Sequence, residues 1–363
     1  MKQRDNRVSN RNFERGFDYF FAQTEGAPTN EVTLLADCRR VFERMLSRVM
    51  TARQRVWLQM YVFDDDALGR CFERALVGCV ERGVDVRVLC DGYGCRRSRL
   101  TLMRRLRREG VRVAVDGFRW GEWPDCRNHR KMLVADDVAV VGGVNIAVRY
   151  LRSWRDVCVE IGDGSVERFA RLFLTDWHRA CGEVLEPATE CDKSASVGCV
   201  ARNTEEVFVR LVERTRRRVL LSTPYLVPTR RVERALVESV QRGVEVVVLV
   251  PERSDTPLVD VATGECARRL MEQGASVWSY VAGFNHAKVL VADDVAMMGS
   301  VNCDRRSLRR NREVMVLLRG CVVESIADDF VHALTLSRRV ERGGVSVMRR
   351  AAELLVRPLH PLL

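Results

Sequence analysis

At 363 residues the chain has room for two domains of ordinary size, and 47% hydrophobic with 30% charged residues is a globular composition. No run of 18 or more apolar residues occurs, which argues against a spanning helix. The Arg-rich residues 1–17 also lack the apolar core of a secretory signal, so a cytoplasmic location is expected. The net charge of +11 favours a polyanionic partner, either nucleic acid or an anionic membrane surface, without choosing between them. The 13 Cys form no CxxC pair or zinc-ligand pattern, and free thiols are expected.

In chain order, residues 1–30 read as a polar extension. "RVWLQMYVF" (55–63) is a short β-rich run, and "ALGRCFERALVGCVERG" (67–83) has helical spacing and a terminal Gly stop. "VDVRVLCDG" (84–92) is the next strand, and "LTLMRRLRREG" (100–110) is a second helix before a further strand. Strands alternating with helices predict an α/β layered domain. "NHRKMLVADDVAVVGGVN" (128–145) then reads as a strand, a turn at its paired Asp and a returning strand, with "WRDVCVEI" (154–161) beyond it.

After "LEPATECDKSASVG", whose Pro, Ser, Gly and charges mark a linker over 186–202, the pattern restarts. "RVLLSTPYLVPTRRVERALVESVQRGVEVVVLVPE" (218–252) parallels 55–92, and "ARRLMEQG" (267–274) is the second helix. "NHAKVLVADDVAMMGSVN" (285–302) and "NREVMVLL" (311–318) repeat the first copy at an offset of 157. The chain is therefore expected to be two copies of one α/β fold, spanning 31–185 and 203–340. A basic and apolar segment, 341–363, follows, compatible with a surface-lying helix after Gly344.

The repeated letters are chemically selective. The chain holds only four Lys and five His, and Lys131, Lys288, His129 and His286 all fall inside the repeated motif. A chain that elsewhere uses Arg keeps a compact ammonium at these two places. Side chains two apart on a strand share a face, about 7 Å apart, so each His and its Lys point together. Asp136 and Asp293 close the strands and are expected to act with the His and Lys as catalytic residues, though Asp137 and Asp294 stand beside them as alternatives. Gly143 and Ser300 precede Asn145 and Asn302. Asp156 and Glu313 recur at the same offset and are candidates to orient the imidazoles.

Duplicated domains associating about a pseudo-two-fold axis would bring two His and two Lys to one site. Two imidazoles and two ammoniums suit phosphodiester cleavage. One neutral His attacks phosphorus, and the other donates a proton to the leaving oxygen. The ammoniums and Asn side chains bind the non-bridging oxygens, and neither a metal nor another cofactor is required.

The pattern HxKxxxxD followed by GGxN or GSxN resembles the phospholipase D superfamily, and most closely the bacterial cardiolipin synthases of the short type without transmembrane helices. "DGYG", "STPYLVP", "NCDRRSLRRNRE" and the terminal "LHPLL" are also similar to that family. The resemblance implies two phospholipase D-type α/β domains and transfer of a phosphatidyl group onto phosphatidylglycerol. It further implies His129 as nucleophile and His286 as general acid. Both motifs have five residues between Asp and the first Gly, where the family usually has six. Anionic phospholipid, met peripherally on the inner face of the cell membrane, is the expected partner. Nucleic acid is not expected, because the aromatics are not spaced as base-stacking platforms. Water in place of an acceptor alcohol, giving a lipid hydrolase, is the alternative reading.

Overall fold

A computed structural model of the chain describes residues 32–117, 126–162, 164–182, 197–201 and 203–341. The expected N-terminal extension, most of the linker and nearly all of the C-terminal segment, with its surface helix, lie outside the described residues.

The strands of the first half are β1 (Val32–Leu35), β2 (Arg55–Met60), β3 (Asp85–Asp91), β4 (Arg112–Asp116), β5 (Met132–Ala135), β6 (Val138–Gly142), β7 (Trp154–Arg155) and β8 (Cys158–Ile161). Those of the second are β9 (Gly198–Val200), β10 (Arg218–Ser222), β11 (Leu226–Val227), β12 (Glu245–Pro251), β13 (Ser276–Tyr280), β14 (Phe284–Asn285), β15 (Val289–Ala292), β16 (Val295–Gly299), β17 (Cys303–Asp304), β18 (Met315–Arg319) and β19 (Ser337–Arg339).

Two mixed sheets result, ordered β1-β8-β6-β5-β2-β3-β4 and β19-β13-β12-β10-β15-β16-β18-β9. Apart from the extra edge strand β19, the orders correspond strand for strand. In each, three parallel strands joined by helical crossovers meet an antiparallel hairpin that carries the repeated motif. β9 comes from the end of the stretch read as linker and pairs with β18.

The central strands are near-continuous apolar runs because both faces of each sheet are covered. On the outer face of the first sheet, helices Cys38–Thr51 and Ala67–Glu81 bury Phe42, Met45, Phe72 and Leu76. Asp37 and Asp66 cap these helices by accepting from Arg40 N and Gly69 N. Between the halves lies one continuous apolar core. It takes Met132, Val141, Phe169 and Phe173 from the first half and Val289, Met298, Ile326 and Phe330 from the second. Burial of this shared core sets the two hairpins against each other.

The expected strand over 129–136 is shorter than read, with β5 beginning at Met132. The residues before it pair with the other half instead. Asn128 bridges Arg312, and His129 N donates to Arg312 O at 2.9 Å. Reciprocally, β14 pairs with β7, and His286 N donates to Arg155 O at 2.7 Å.

Candidate functional site

This crossed pairing builds the site. Each motif histidine lies on a segment of its own half that runs beside the acid-bearing segment of the other half. His129 Nδ1 stands 3.0 Å from both carboxylate oxygens of Glu313. His286 Nδ1 stands 2.5 Å from Asp156 Oδ2. The carboxylates therefore orient the imidazoles, and do so across the two halves, a reciprocity that a pseudo-two-fold axis requires. Nearby charge and hydrogen bonds outweigh burial and hold both acids below their ordinary pKa. An ionised carboxylate only accepts, so Nδ1 of each ring carries the proton and Nε2 keeps its lone pair.

Lys131 and Lys288 are almost completely buried. Each donates to the carbonyl of its own motif histidine. Lys131 also lies over the Tyr61 ring, 5.1 Å from its centre. Lys288 Nζ is 2.7 Å from His286 Nδ1 and 3.7 Å from Asp156 Oδ2. Burial pushes the His286 pKa down to about 4, and the Lys288 ammonium adds to this against the pull of Asp156. Burial likewise lowers His129, with Glu313 opposing. Desolvation also lowers Lys288 to about 8 and Lys131 well below its usual range. Charges from each half act on the imidazole of the other, which marks one site and not two.

Gly143 and Ser300 occupy matched positions but act differently. A Cβ at residue 143 would lie 2.3 Å from Asp156 Oδ1, so only glycine lets that carboxylate reach His286. In the second half, Ser300 Oγ donates to Glu313 Oε2 at 2.5 Å, and the longer glutamate makes room for it. Asn145 accepts from Val62 N and donates to the Tyr150 hydroxyl, which stands 3.3 Å from His286 Nδ1. Asn302 is 5% exposed, and its Oδ1 has no hydrogen-bond partner.

Asp136 and Asp293 require a correction. They sit at the far ends of β5 and β15, away from the imidazoles. Asp136 accepts from the backbone N–H groups of Arg53, Gln54 and Arg55, and Asp293 from those of Arg216, Arg217 and Arg218. Both adopt the left-handed conformation, φ 50° and 54°, that the tight turn demands. Asp137 and Asp294 are exposed neighbours without this role. The aspartates clamp each hairpin to the strand beside it and do not touch the reacting groups.

Other residues at the site were not singled out from sequence. Tyr61 packs edge-on to His129, ring centres 4.7 Å apart. Tyr150, Trp154 and Phe284 surround His286 at 5.6, 5.1 and 5.6 Å. Arg155 and Arg312 recur at the common offset but do not pair with the adjacent acids. Arg155 binds Asn285 and Asp329, and Arg312 binds Asp116, latching the halves together. Arg130 joins Asp176 and donates to Glu313 O. Other arginines that follow the two motifs are also engaged within the molecule, including Arg149 with Asp64 and Arg309 with Glu205. Among the described residues no group of three or more His, Cys, Asp or Glu is placed to hold a metal.

Residues 45–177 and 208–333 each match the family described as cardiolipin synthase, phospholipase D-like domain. The chain is 32% identical to cardiolipin synthase A of Pseudomonas aeruginosa (strain LESB58), over 92% of this chain and 75% of that protein. It is 29% identical to the major cardiolipin synthase ClsA of Bacillus subtilis (strain 168), over 85% and 70% of the two chains. Its fold is shared with the phosphatidylserine synthase of Haemophilus influenzae Rd KW20, at TM-score 0.73 and 14% identity, covering 92% and 93% of the two chains. Two copies of the domain match, they cover most of the chain, and they bring the paired motifs to one cleft: the chain belongs to the cardiolipin synthase, phospholipase D-like family.

Proposed function

We propose that this chain is a phosphatidyltransferase that joins two phosphatidylglycerol molecules into cardiolipin and releases glycerol. The observation that supports it most is the convergence of two carboxylate-held imidazoles and two buried ammoniums between the repeats. His129 Nε2, neutral and aimed through Nδ1 by Glu313, attacks the phosphorus of the first lipid. The P–O bond to glycerol breaks, and the leaving oxygen takes a proton from His286 Nε2. The second lipid's hydroxyl then gives its proton back to His286 as its oxygen bonds phosphorus and the P–N bond to His129 breaks. Lys131 and Lys288 hold the non-bridging oxygens as their charge grows.

Both imidazoles rest in the neutral form because burial disfavours the cation. That suits the nucleophile at once. The acid takes a proton from solvent onto Nε2 of His286 when the anionic phosphodiester arrives and its charge offsets that of Lys288, and the acceptor hydroxyl restores that proton in the second step.

The substrate places the protein at a membrane surface. Among the described residues no helix is long and apolar enough to cross a membrane. We propose peripheral contact, drawn by the +11 net charge to anionic lipid.

The test is incubation with phosphatidylglycerol vesicles and lipid analysis. Cardiolipin and glycerol in equal amounts support the transferase. Phosphatidic acid as the sole product would make it a hydrolase, and cleavage of a DNA diester without lipid turnover would make it a nuclease.

A further inference from the structure

The motif "DGYG" (91–94) plays no part in the chemistry above, yet it lies beside it. β2, β3 and β4 run parallel, with Met60 level with Cys90 and Asp91 level with Asp116. Their carboxyl ends are where α/β sheets place their ligands. Here those ends carry Tyr61, packed on His129, and beside it the loop 92–101. Asp91 is buried and fixes that loop. Its Oδ1 accepts from Tyr93 N at 2.9 Å and Gly94 N at 2.8 Å, and its Oδ2 accepts from Asn128 N at 3.0 Å. A Cβ on residue 94 would stand 2.0 Å from Tyr61 O, so only glycine lets the loop pack this closely.

What the fixed loop presents is basic and apolar together. Tyr93 is 51% exposed and Leu100 58%. Arg96, Arg97 and Arg99, between them, are exposed and, among the described residues, in no ion pair. This sets them apart from Arg149, Arg155, Arg309 and Arg312, each paired with a carboxylate. Residues 92–108 hold seven arginines and no acid. The guanidiniums of Arg96 and Arg127 lie over the Tyr93 ring, 4.5 and 4.6 Å from its centre. Arg127 stands two residues ahead of His129, so the positive surface continues from the loop onto the segment that carries the nucleophile.

We infer that this loop is the face by which the protein docks on an anionic bilayer. Tyr93 and Leu100 enter the boundary between headgroups and acyl chains, and Arg96, Arg97 and Arg99 hold lipid phosphates. The inference names the surface that serves the phosphatidylglycerol reading above and rests on that reading for its lipid. An aromatic and an aliphatic side chain set among arginines are the makeup of an interfacial segment. A nucleic acid would use the arginines but would leave Leu100 in water. Docking here sets the cleft against the leaflet on the His129 side, so the acyl chains stay in the leaflet while the headgroup reaches the nucleophile.

The test is co-sedimentation of the full chain with phosphatidylglycerol vesicles. Arg96→Ala/Arg97→Ala/Arg99→Ala should weaken binding about 10²-fold, at about fivefold for each basic residue near an anionic leaflet. Arg53→Ala/Arg108→Ala/Arg216→Ala removes the same charge from exposed arginines at the amino ends of β2, β4 and β10. It should leave binding within about twofold, because charges further than about 10 Å from the leaflet are screened. Leu100→Asp should remove the binding that survives about 1 M salt, where charge is screened beyond about 3 Å. Equal losses in the two triple variants would overturn the docking face, since net charge alone would then be acting. So would a first triple variant that binds vesicles like wild type but loses a labelled DNA strand, which would make the loop a nucleic-acid surface. The ratio of turnover on vesicles to turnover on dispersed short-chain phosphatidylglycerol should fall in the first triple variant and hold in the second. Binding is read without turnover, so wild type that binds through this loop and turns over neither form would overturn the transferase reading while supporting the docking face.

Discussion

Gly143→Ala perturbs the site without altering any group that touches substrate. The added Cβ would stand 2.3, 2.6 and 2.8 Å from Oδ1, Oδ2 and Cγ of Asp156. Ordinary carbon–oxygen contacts are about 3.3 Å or longer, so the carboxylate must retreat by about 1 Å. It now holds His286 Nδ1 at 2.5 Å, and that bond would be lost. A misplacement of about 1 Å can cost about 10²-fold in rate. We expect kcat for phosphatidylglycerol turnover to fall by about that factor, with KM moving far less, because Lys131 and the contact of Lys288 with the His286 carbonyl are not displaced. The assay is initial-rate formation of labelled cardiolipin on vesicles.

The second half supplies the control. Ser300 and Glu313 show that a side chain is tolerated here when the acid is one methylene longer. The double variant Gly143→Ser/Asp156→Glu copies that pair into the first half and should recover at least about tenfold over Gly143→Ser alone, a coupling typical of contacting residues. Turnover of Gly143→Ala within about threefold of wild type would refute the role given to Asp156, since the loss expected is about 10²-fold.

Other outcomes follow from the same geometry. His129→Ala and His286→Ala should each lose at least about 10²–10⁴-fold in lipid turnover, the range of general acid–base catalysis. Asp136→Ala and Asp293→Ala each strand three backbone N–H groups. They should cost about 1–3 kcal/mol in denaturant unfolding while kcat per folded molecule holds. Lys288→Met removes a positive charge 2.7 Å from His286 Nδ1, so the His286 pKa should rise from about 4 toward 6.5 in an NMR titration. In wild type the unfolded chain binds a proton that folded His286 refuses between those values, so this term weakens the fold as pH falls through that window. The loss should be shallower in the variant. EDTA should leave turnover unchanged, because Lys131 and Lys288 supply the charge that a metal would bring.

Much of this site is legible in the sequence. The matched offset located both imidazoles, both ammoniums and both carboxylates, because chemistry tied to a duplicated fold must recur in step. The crossing of the acid–histidine pairs was hidden. It depends on Asn128 meeting Arg312 and Phe284 meeting Trp154, and local periodicity does not encode pairings between halves. The hairpin aspartates were misread although the turn already set them at the other end of the strand from the imidazoles: recurrence in step marks a structural clamp of a duplicated fold as strongly as it marks chemistry. Arg155 and Arg312 carried the right signal, recurrence at the common offset, but their place in latching the halves was not singled out from sequence.

The central claim is that His129 carries the phosphatidyl group between two lipids. The most direct measurement is mass spectrometry of the full chain after brief incubation with phosphatidylglycerol vesicles and an alkaline quench, which preserves phosphohistidine. We predict a phosphatidyl adduct on His129 that forms before cardiolipin and is absent in His129→Ala. An adduct on His286 would reverse the assigned roles, and cardiolipin formed at full rate by His129→Ala would contradict covalent transfer through this residue.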